Sequence, residues 1–270
     1  MEFGSLKDKV IVVTGGTGVL GESFVNSIHS RGGTVAVLGR NREVAEKRAS
    51  AIEADGGKAL ALVADVMDIK SLSEAKDQIL NKFGKIDALV NAAGGNMPGA
   101  VIEPKTDLFN IDLESMSKVM NLNLFGTINA TQVFGEEIAK SGNGSIVNIS
   151  SMTSQRVITK VMGYSIAKAA IDLYTKWFAV ELANRYGDKV RMNAIAPGFF
   201  ITEQNRTLLT NEDKNYTDRG NSVIKHTPFK RFGIPSELEG ALIWLLSDDS
   251  KFVTGTIINV DGGFAAFGGV

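Results

Sequence analysis

The chain has 270 residues, 44% of them apolar, and a formal net charge of −1. That is enough for one large buried core, and it lacks the basic face that nucleic acid or an anionic membrane would need. With no cysteine and only two histidines, His29 and His226, disulfides, thiolate catalysis, iron–sulfur clusters and cysteine-bound zinc are excluded, so redox chemistry would need an organic cofactor. The longest apolar runs fall short of the roughly 18–20 residues that cross a bilayer, and no basic-then-apolar segment opens the chain, so a cytoplasmic protein is expected. Met1-Glu2-Phe3-Gly4-Ser5 reads as a tail, disordered or left by cloning, and the folded domain is expected over residues 6–270.

Short β-branched runs alternate with longer helical stretches. Val10–Thr14 reads as a first buried strand, followed by a helix through about Ser30. Thr34–Leu38 is a second strand, followed by a charged helix from Arg42 to about Ala54. Lys58–Val63 is a third, with a helix through about Phe83, and Ala88–Asn91 a fourth, leading by a loop to a long helix around Leu113–Lys140. Ser145–Ile149 is a fifth, with the helix Tyr164–Tyr186 after it. Val190–Ile195 is a sixth, and Thr256–Val260 a seventh after a helix over Pro235–Ser247. This alternation predicts an α/β fold with a parallel sheet of about seven strands, covered by helices on both faces. No linker and no internal repeat divide it, so it reads as a single domain. The polar stretch at about 199–233 breaks the pattern and is expected to be a lid.

After the first strand stands Thr14-Gly15-Gly16-Thr17-Gly18-Val19-Leu20-Gly21. Gly16, Gly18 and Gly21 form G-x-G-x-x-G between a strand and a helix, where glycines let backbone N–H groups approach a pyrophosphate at the helix N-terminus. The candidate cofactor-binding residues here are Gly15, Gly16, Thr17, Gly18, Val19 and Leu20. The second strand ends in Leu38-Gly39-Arg40-Asn41. Gly39 offers no carboxylate for the ribose diol of NAD, whereas Arg40, with Asn41 beside it, offers a cation for a 2′-phosphate. NADP(H) is favoured and NAD(H) remains possible.

Tyr164 and Lys168 are four residues apart and share one helix face. An ammonium near the phenol would favour phenolate and lower the tyrosine pKa from roughly 10. A serine from Ser150-Ser151, at the end of the preceding strand, could hydrogen-bond a reacting oxygen. Together these would make an acid/base unit that needs no metal.

In order along the chain, the glycine turn is followed by Asp65-Val66, Asn91-Ala92-Ala93-Gly94, Asn123, Ser151, the Tyr164/Lys168 pair, Asn193 to Gly198 and Val260-Asp261-Gly262-Gly263. Over nearly its whole length the chain resembles the short-chain dehydrogenase/reductase family. The resemblance implies a Rossmann-like doubly wound sheet, NAD(P)-dependent interconversion of carbonyl and alcohol, and usually a homotetramer. It implies that Tyr164 is the general acid/base, that Lys168 holds the nicotinamide ribose and depresses the tyrosine pKa, that Ser151 bonds the substrate oxygen, and that Asn123 holds a water in a proton relay. Asp65 and Val66 would contact adenine. Asn91, with Ala92, Ala93 and Gly94, would lie on the ribose side, and Pro197, Gly198, Phe200 and Thr202 at the nicotinamide end. Many relatives carry a basic residue followed by glycine where this chain has Gly18-Val19, which removes a common second contact to NADP(H).

Gly94-Gly95-Asn96-Met97-Pro98 and the stretch from Pro197 to Arg206 resemble the D-mannonate oxidoreductase (fructuronate reductase) subgroup, close to gluconate 5-dehydrogenases. A sugar-acid substrate would need polar contacts and a cation for its carboxylate. Asn96, Arg156, Gln204, Asn205, Arg206 and Lys225 are the candidates beside Ser151. The competing readings are a 3-oxoacyl-carrier-protein reductase, which shares the catalytic motifs, and a non-catalytic cofactor-binding protein.

Overall fold

The computed structural model describes residues 2–202, 205–213 and 215–269. The apolar runs form β1 (Val10–Thr14), β2 (Thr34–Gly39), β3 (Ala59–Val63), β4 (Ala88–Asn91), β5 (Gly144–Ile149), β6 (Val190–Pro197) and β7 (Ile257–Val260). They pair in parallel throughout, in the order β3-β2-β1-β4-β5-β6-β7. The direction of winding reverses between β1 and β4, and the crevice at the carboxyl ends of those strands is where open α/β sheets bind ligands.

Burial of both sheet faces follows from the period of two along each strand. Ile11 and Val13 of β1 enter one core cluster, with Phe24, Val25 and Ile28 of α1 (Val19–Ser30), Ala45, Ala49 and Ile52 of α2 (Arg42–Ala54), and Leu242, Leu245 and Leu246 of α9 (Glu239–Leu246). Val10 and Val12 enter the other, with Leu72 and Ile79 of α3 (Ile69–Phe83), Phe134 and Ile138 of α5 (Gly126–Lys140), and Leu182 of α6 (Met162–Tyr186). Each fully buried side chain of this size contributes roughly 1.5–3 kcal/mol, so neither face could be left uncovered.

Two features depart from the sequence reading, and a third adds detail to it. The long helix expected over Leu113–Lys140 is interrupted: α4 (Leu113–Met120) passes through a π-helical turn at Asn121–Phe125 before α5 begins. The expected tail is partly docked, since Gly4 is buried and its N–H donates to Asp249 Oδ2 at 2.6 Å. The described residues of the stretch 199–233 form α7 (Arg206–Leu209), α8 (Asp218–His226) and a small core of Leu209, Val223 and Phe232. Its two ends meet in a bridge between Phe200 and Gly233.

A buried polar ladder crosses the middle of the sheet. Asn91 and Asn148 are register partners on β4 and β5. Asn91 Nδ2 donates to Asn148 Oδ1 at 2.9 Å and to Thr131 Oγ1 at 3.1 Å, and Asn148 Nδ2 donates to Thr175 Oγ1 at 2.9 Å.

Candidate active site

The glycine turn lies against the turn after β4. Gly15 has φ +64°, and a Cβ there would stand 2.6 Å from the Ala92 carbonyl oxygen, so only glycine fits. Thr14 Oγ1 ties the two turns together by accepting from Ala92 N at 3.1 Å and Ala93 N at 3.2 Å. No side chain caps α1, whose first N–H groups have no partner within the helix and suit a pyrophosphate. The carbonyls of the turn are held from behind by Arg48 of α2, a residue that the sequence reading missed. Its guanidinium bonds the Gly16 carbonyl, reaches Gly18 O at 2.9 Å and pairs with Glu22 at 3.0 Å. Within the charged pattern of α2, nothing local distinguishes it from a solvated arginine.

Further along the same edge, a Cβ on Gly39 would run into the Thr17 side chain. The position that would carry an acidic residue for NAD therefore cannot gain a side chain unless Thr17 moves. Arg40 is largely exposed and stands 3.9 Å from Asp65, and Asn41 caps α2 by accepting from Val44 N at 3.1 Å. Val66 is buried, with its carbonyl held by Asn129 at 3.0 Å. Asn91 is buried below the turn, with its Nδ2 engaged in the ladder and its Oδ1 without a hydrogen-bond partner.

The catalytic candidates converge at the ends of β5 and α6. Lys168 and Tyr164 share one face of α6, with the Lys168 Nζ 5.4 Å from the centre of the phenol ring. Ser150 and Ser151 are resolved by their partners. Ser150 bonds Asp172, while Ser151 faces the Tyr164 hydroxyl closely enough to favour its ionised form, and its own oxygen accepts from Thr153 N at 3.3 Å. Both serines line the cleft, and Ser151 is the one beside the Tyr164 hydroxyl.

Burial acts on both groups of the pair. Burial pushes the Tyr164 phenol above its ordinary value, and Ser151 only opposes that shift. The Lys168 ammonium lies beside the ring. It is itself buried, donates to the Ile149 carbonyl at 2.7 Å, and is brought down by burial to about 8, with the Asp172 carboxylate opposing the fall. A neutral phenol is suited to giving a proton to a developing alkoxide.

Asp172 was also missed, although it lies four residues after Lys168 on the same helix face. It also holds the Ser154 hydroxyl at 2.6 Å. In Asp172→Asn the carboxylate that supports the Lys168 ammonium is gone, so the lysine loses its proton at lower pH. The alkaline limb of kcat/KM for ketone reduction is expected to move to lower pH, as a pH–rate profile would record. An unmoved limb would show that the carboxylate only braces the serine turn.

Asn123 sits in the π-turn and clamps the backbone of Gly95: Oδ1 accepts from its N–H at 3.0 Å and Nδ2 donates to its carbonyl at 2.7 Å and to Val119 O at 2.8 Å. The side chain is thus engaged in holding the Gly94-Gly95 turn, and a relay water would have to use other atoms of the residue.

These elements enclose a cleft of about 410 Å³, within the usual range for small-molecule sites. Leu20, Ala92 and Gly94 line it from the cofactor side, and Pro197, Gly198, Phe200 and Thr202 from the end of β6, with Ser151, Tyr164 and Lys168 between them. Of the substrate candidates, Asn96 and Asn205 line the cleft. Asn205 uses its amide to hold the loop, accepting from Thr202 N and donating to Phe200 O, each at 2.8 Å. Arg156 turns away and donates to the Ala265 carbonyl at 2.6 Å. Arg206 opens α7 and Lys225 lies in the last turn of α8, and neither lines the cleft. Gln204 lies outside the described residues. Among the described residues, the cation that lines it besides Lys168 is Arg219 of α8. No group of three or more potential metal ligands occurs among the described residues, nor is any helix among them long and apolar enough to cross a membrane.

Comparison with known proteins agrees with this geometry. The family model described as Enoyl-(Acyl carrier protein) reductase matches residues 18–265. A Bacillus subtilis (strain 168) protein, "Uncharacterized oxidoreductase UxuB", is 43% identical over 275 residues that cover 98% of each chain. A crystal structure from Haemophilus influenza, provisionally described as a D-mannonate oxidoreductase and solved with NAD bound, superposes with a TM-score of 0.90 at 39% identity over 98% of both chains. A gluconate 5-dehydrogenase from Burkholderia cenocepacia J2315, solved with NADP and tartrate, superposes with a TM-score of 0.85 at 30% identity over 98% of both chains. With its Rossmann-like sheet, its glycine cradle and its Ser151–Tyr164–Lys168 group, the chain belongs to the short-chain dehydrogenase/reductase family and is an NAD(P)-dependent oxidoreductase.

Proposed function

We propose that the enzyme interconverts a secondary alcohol and a ketone on a sugar acid of the D-mannonate/D-fructuronate type, with NADP(H) favoured over NAD(H). The observation that carries the reaction is the convergence of Ser151, Tyr164 and Lys168 on one cleft beside the glycine cradle. The bound nicotinamide supplies or accepts the hydride. In reduction, the Tyr164 hydroxyl gives its proton to the carbonyl oxygen as it becomes an alkoxide, while Ser151 hydrogen-bonds that oxygen. In oxidation the same tyrosine takes the proton back. Lys168 keeps a positive charge beside the phenol as its proton leaves. The stretch 199–233 acts as a lid, a role supported by its separate small core and by ends that meet at Phe200 and Gly233.

The substrate class is supported by the similarity to the D-mannonate and gluconate enzymes. The NADP(H) preference rests on the crowded Gly39 and on Arg40, whose loose contact with Asp65 leaves it able to meet a 2′-phosphate. Leu173, Trp177 and Val180 leave an exposed apolar stripe on α6, which supports assembly as a homotetramer. The lack of cysteine suits a cytoplasmic setting.

The test is a panel of hexuronates and aldonates assayed with both coenzymes, in the wild type and in Arg40→Ala. Turnover of a sugar acid is expected, and Arg40→Ala should raise KM for NADPH about tenfold, the effect of losing one charge-assisted contact worth roughly 1.4 kcal/mol, while KM for NADH changes little. Failure on every sugar acid would remove the substrate class and leave the family standing. Equal effects on both coenzymes would remove the role given to Arg40.

A further inference from the structure

Two buried polar atoms in the cleft have no hydrogen-bond partner, Asn96 Oδ1 and Thr153 Oγ1. Leaving such an atom unpaired is costly, and buried unpaired groups at a site call for an explanation. They flank the reacting centre: Asn96 follows the Gly94-Gly95 turn that Asn123 clamps, and Thr153 N donates to the Ser151 hydroxyl oxygen.

A third group completes the pattern. Among the described residues that line the cleft, Lys168 and Arg219 carry the positive charges. Lys168 is held by the Ile149 carbonyl beside Tyr164. Arg219 is half-buried on α8 and crosses from the lid to the loop before the catalytic tyrosine. Its Nη2 donates to the Thr159 carbonyl at 3.1 Å and its Nη1 reaches Thr159 Oγ1 at 3.5 Å. A guanidinium has five N–H donors, so several are left for a bidentate acceptor. Glu103 also lines the cleft, but Lys160 pairs with it at 2.8 Å, which lowers its repulsion of an anion.

We propose that Arg219 anchors the carboxylate of the substrate and that Asn96 Oδ1 and Thr153 Oγ1 bond its hydroxyl groups. The proposal rests on the sugar-acid reading above and names the residues that would enforce it. It also replaces Arg156, Arg206 and Lys225 as the source of the cation. Because Arg219 is on the lid and bonds the loop at Thr159, an anion that binds it also joins the lid to the element carrying Tyr164.

The experiment compares wild type, Arg219→Met, Arg219→Lys and Asn96→Ala. D-Mannonate is titrated calorimetrically into each enzyme–NADPH complex, in which no hydride can pass, and steady-state oxidation is measured in parallel. Arg219→Met should weaken binding and raise KM for D-mannonate tenfold or more, with a much smaller fall in kcat and an unchanged KM for coenzyme. Arg219→Lys should recover part of the loss, and Asn96→Ala should show a smaller loss of the same kind. If wild type and Arg219→Met bind D-mannonate equally, or if kcat falls with KM unchanged, the anchor is overturned and the sugar-acid reading stands. If the wild type neither binds nor oxidises D-mannonate or any other sugar acid, the reading fails and the anchor with it.

Discussion

Tyr164→Phe is expected to bind coenzyme as the wild type does and to lose roughly 10²- to 10⁴-fold in turnover, the contribution of a positioned proton donor. The change removes one oxygen from a half-buried side chain whose hydroxyl faces Ser151, so the fold has little to lose. Fluorescence titration with NADPH and a kcat measurement on the same preparation separate the two properties. A kcat close to that of wild type would remove Tyr164 from the mechanism.

Lys168→Met should be as damaging to catalysis and almost silent in stability. An apolar chain of similar length no longer carries the cost of burying an ammonium. Against that, the Ile149 carbonyl loses a donor at 2.7 Å, a cost of roughly 1–3 kcal/mol. The two effects oppose each other, so Tm should move by a few degrees at most. Turnover should fall on the order of 100-fold or more, since the charge beside the departing phenolic proton is gone, and coenzyme should bind more weakly. Thermal denaturation alongside kinetics tests this. A collapse of Tm would mean that Lys168 is chiefly a structural donor to β5.

The parts of the site that were legible in the sequence are those whose function follows from local spacing. The glycine turn stands between strand and helix, and Tyr164 and Lys168 are one helical turn apart, so the chain alone brings each set together. The strands were legible because burial on both faces leaves continuous apolar runs. What the sequence hid depends on which element packs against which. Arg48 holds the glycine turn only because α2 lies behind it, and Arg219 reaches the cleft only because α8 folds back to Thr159. Arg156 misled in the opposite direction: close to the serines in sequence, it is drawn away by the carbonyl of Ala265 near the other end of the chain. Spacing likewise shows that a cation is near the phenol but not that both groups are buried.

The ladder of Asn91, Asn148 and Thr175 bears on how the enzyme reaches its active form. In a sheet with two apolar faces, many pairings of β4 with β5 would bury similar amounts of hydrocarbon. A slip by one residue moves every side chain to the opposite face, where Asn91 and Asn148 would be stranded in hydrocarbon without each other, at roughly 1–3 kcal/mol for each orphaned group. The ladder is thus a proofreading device for strand alignment. It sets at equal height the two loops that leave these strands, one leading to Gly95 and the other to Ser151, so an error in assembly is rejected before a misaligned catalytic centre can form.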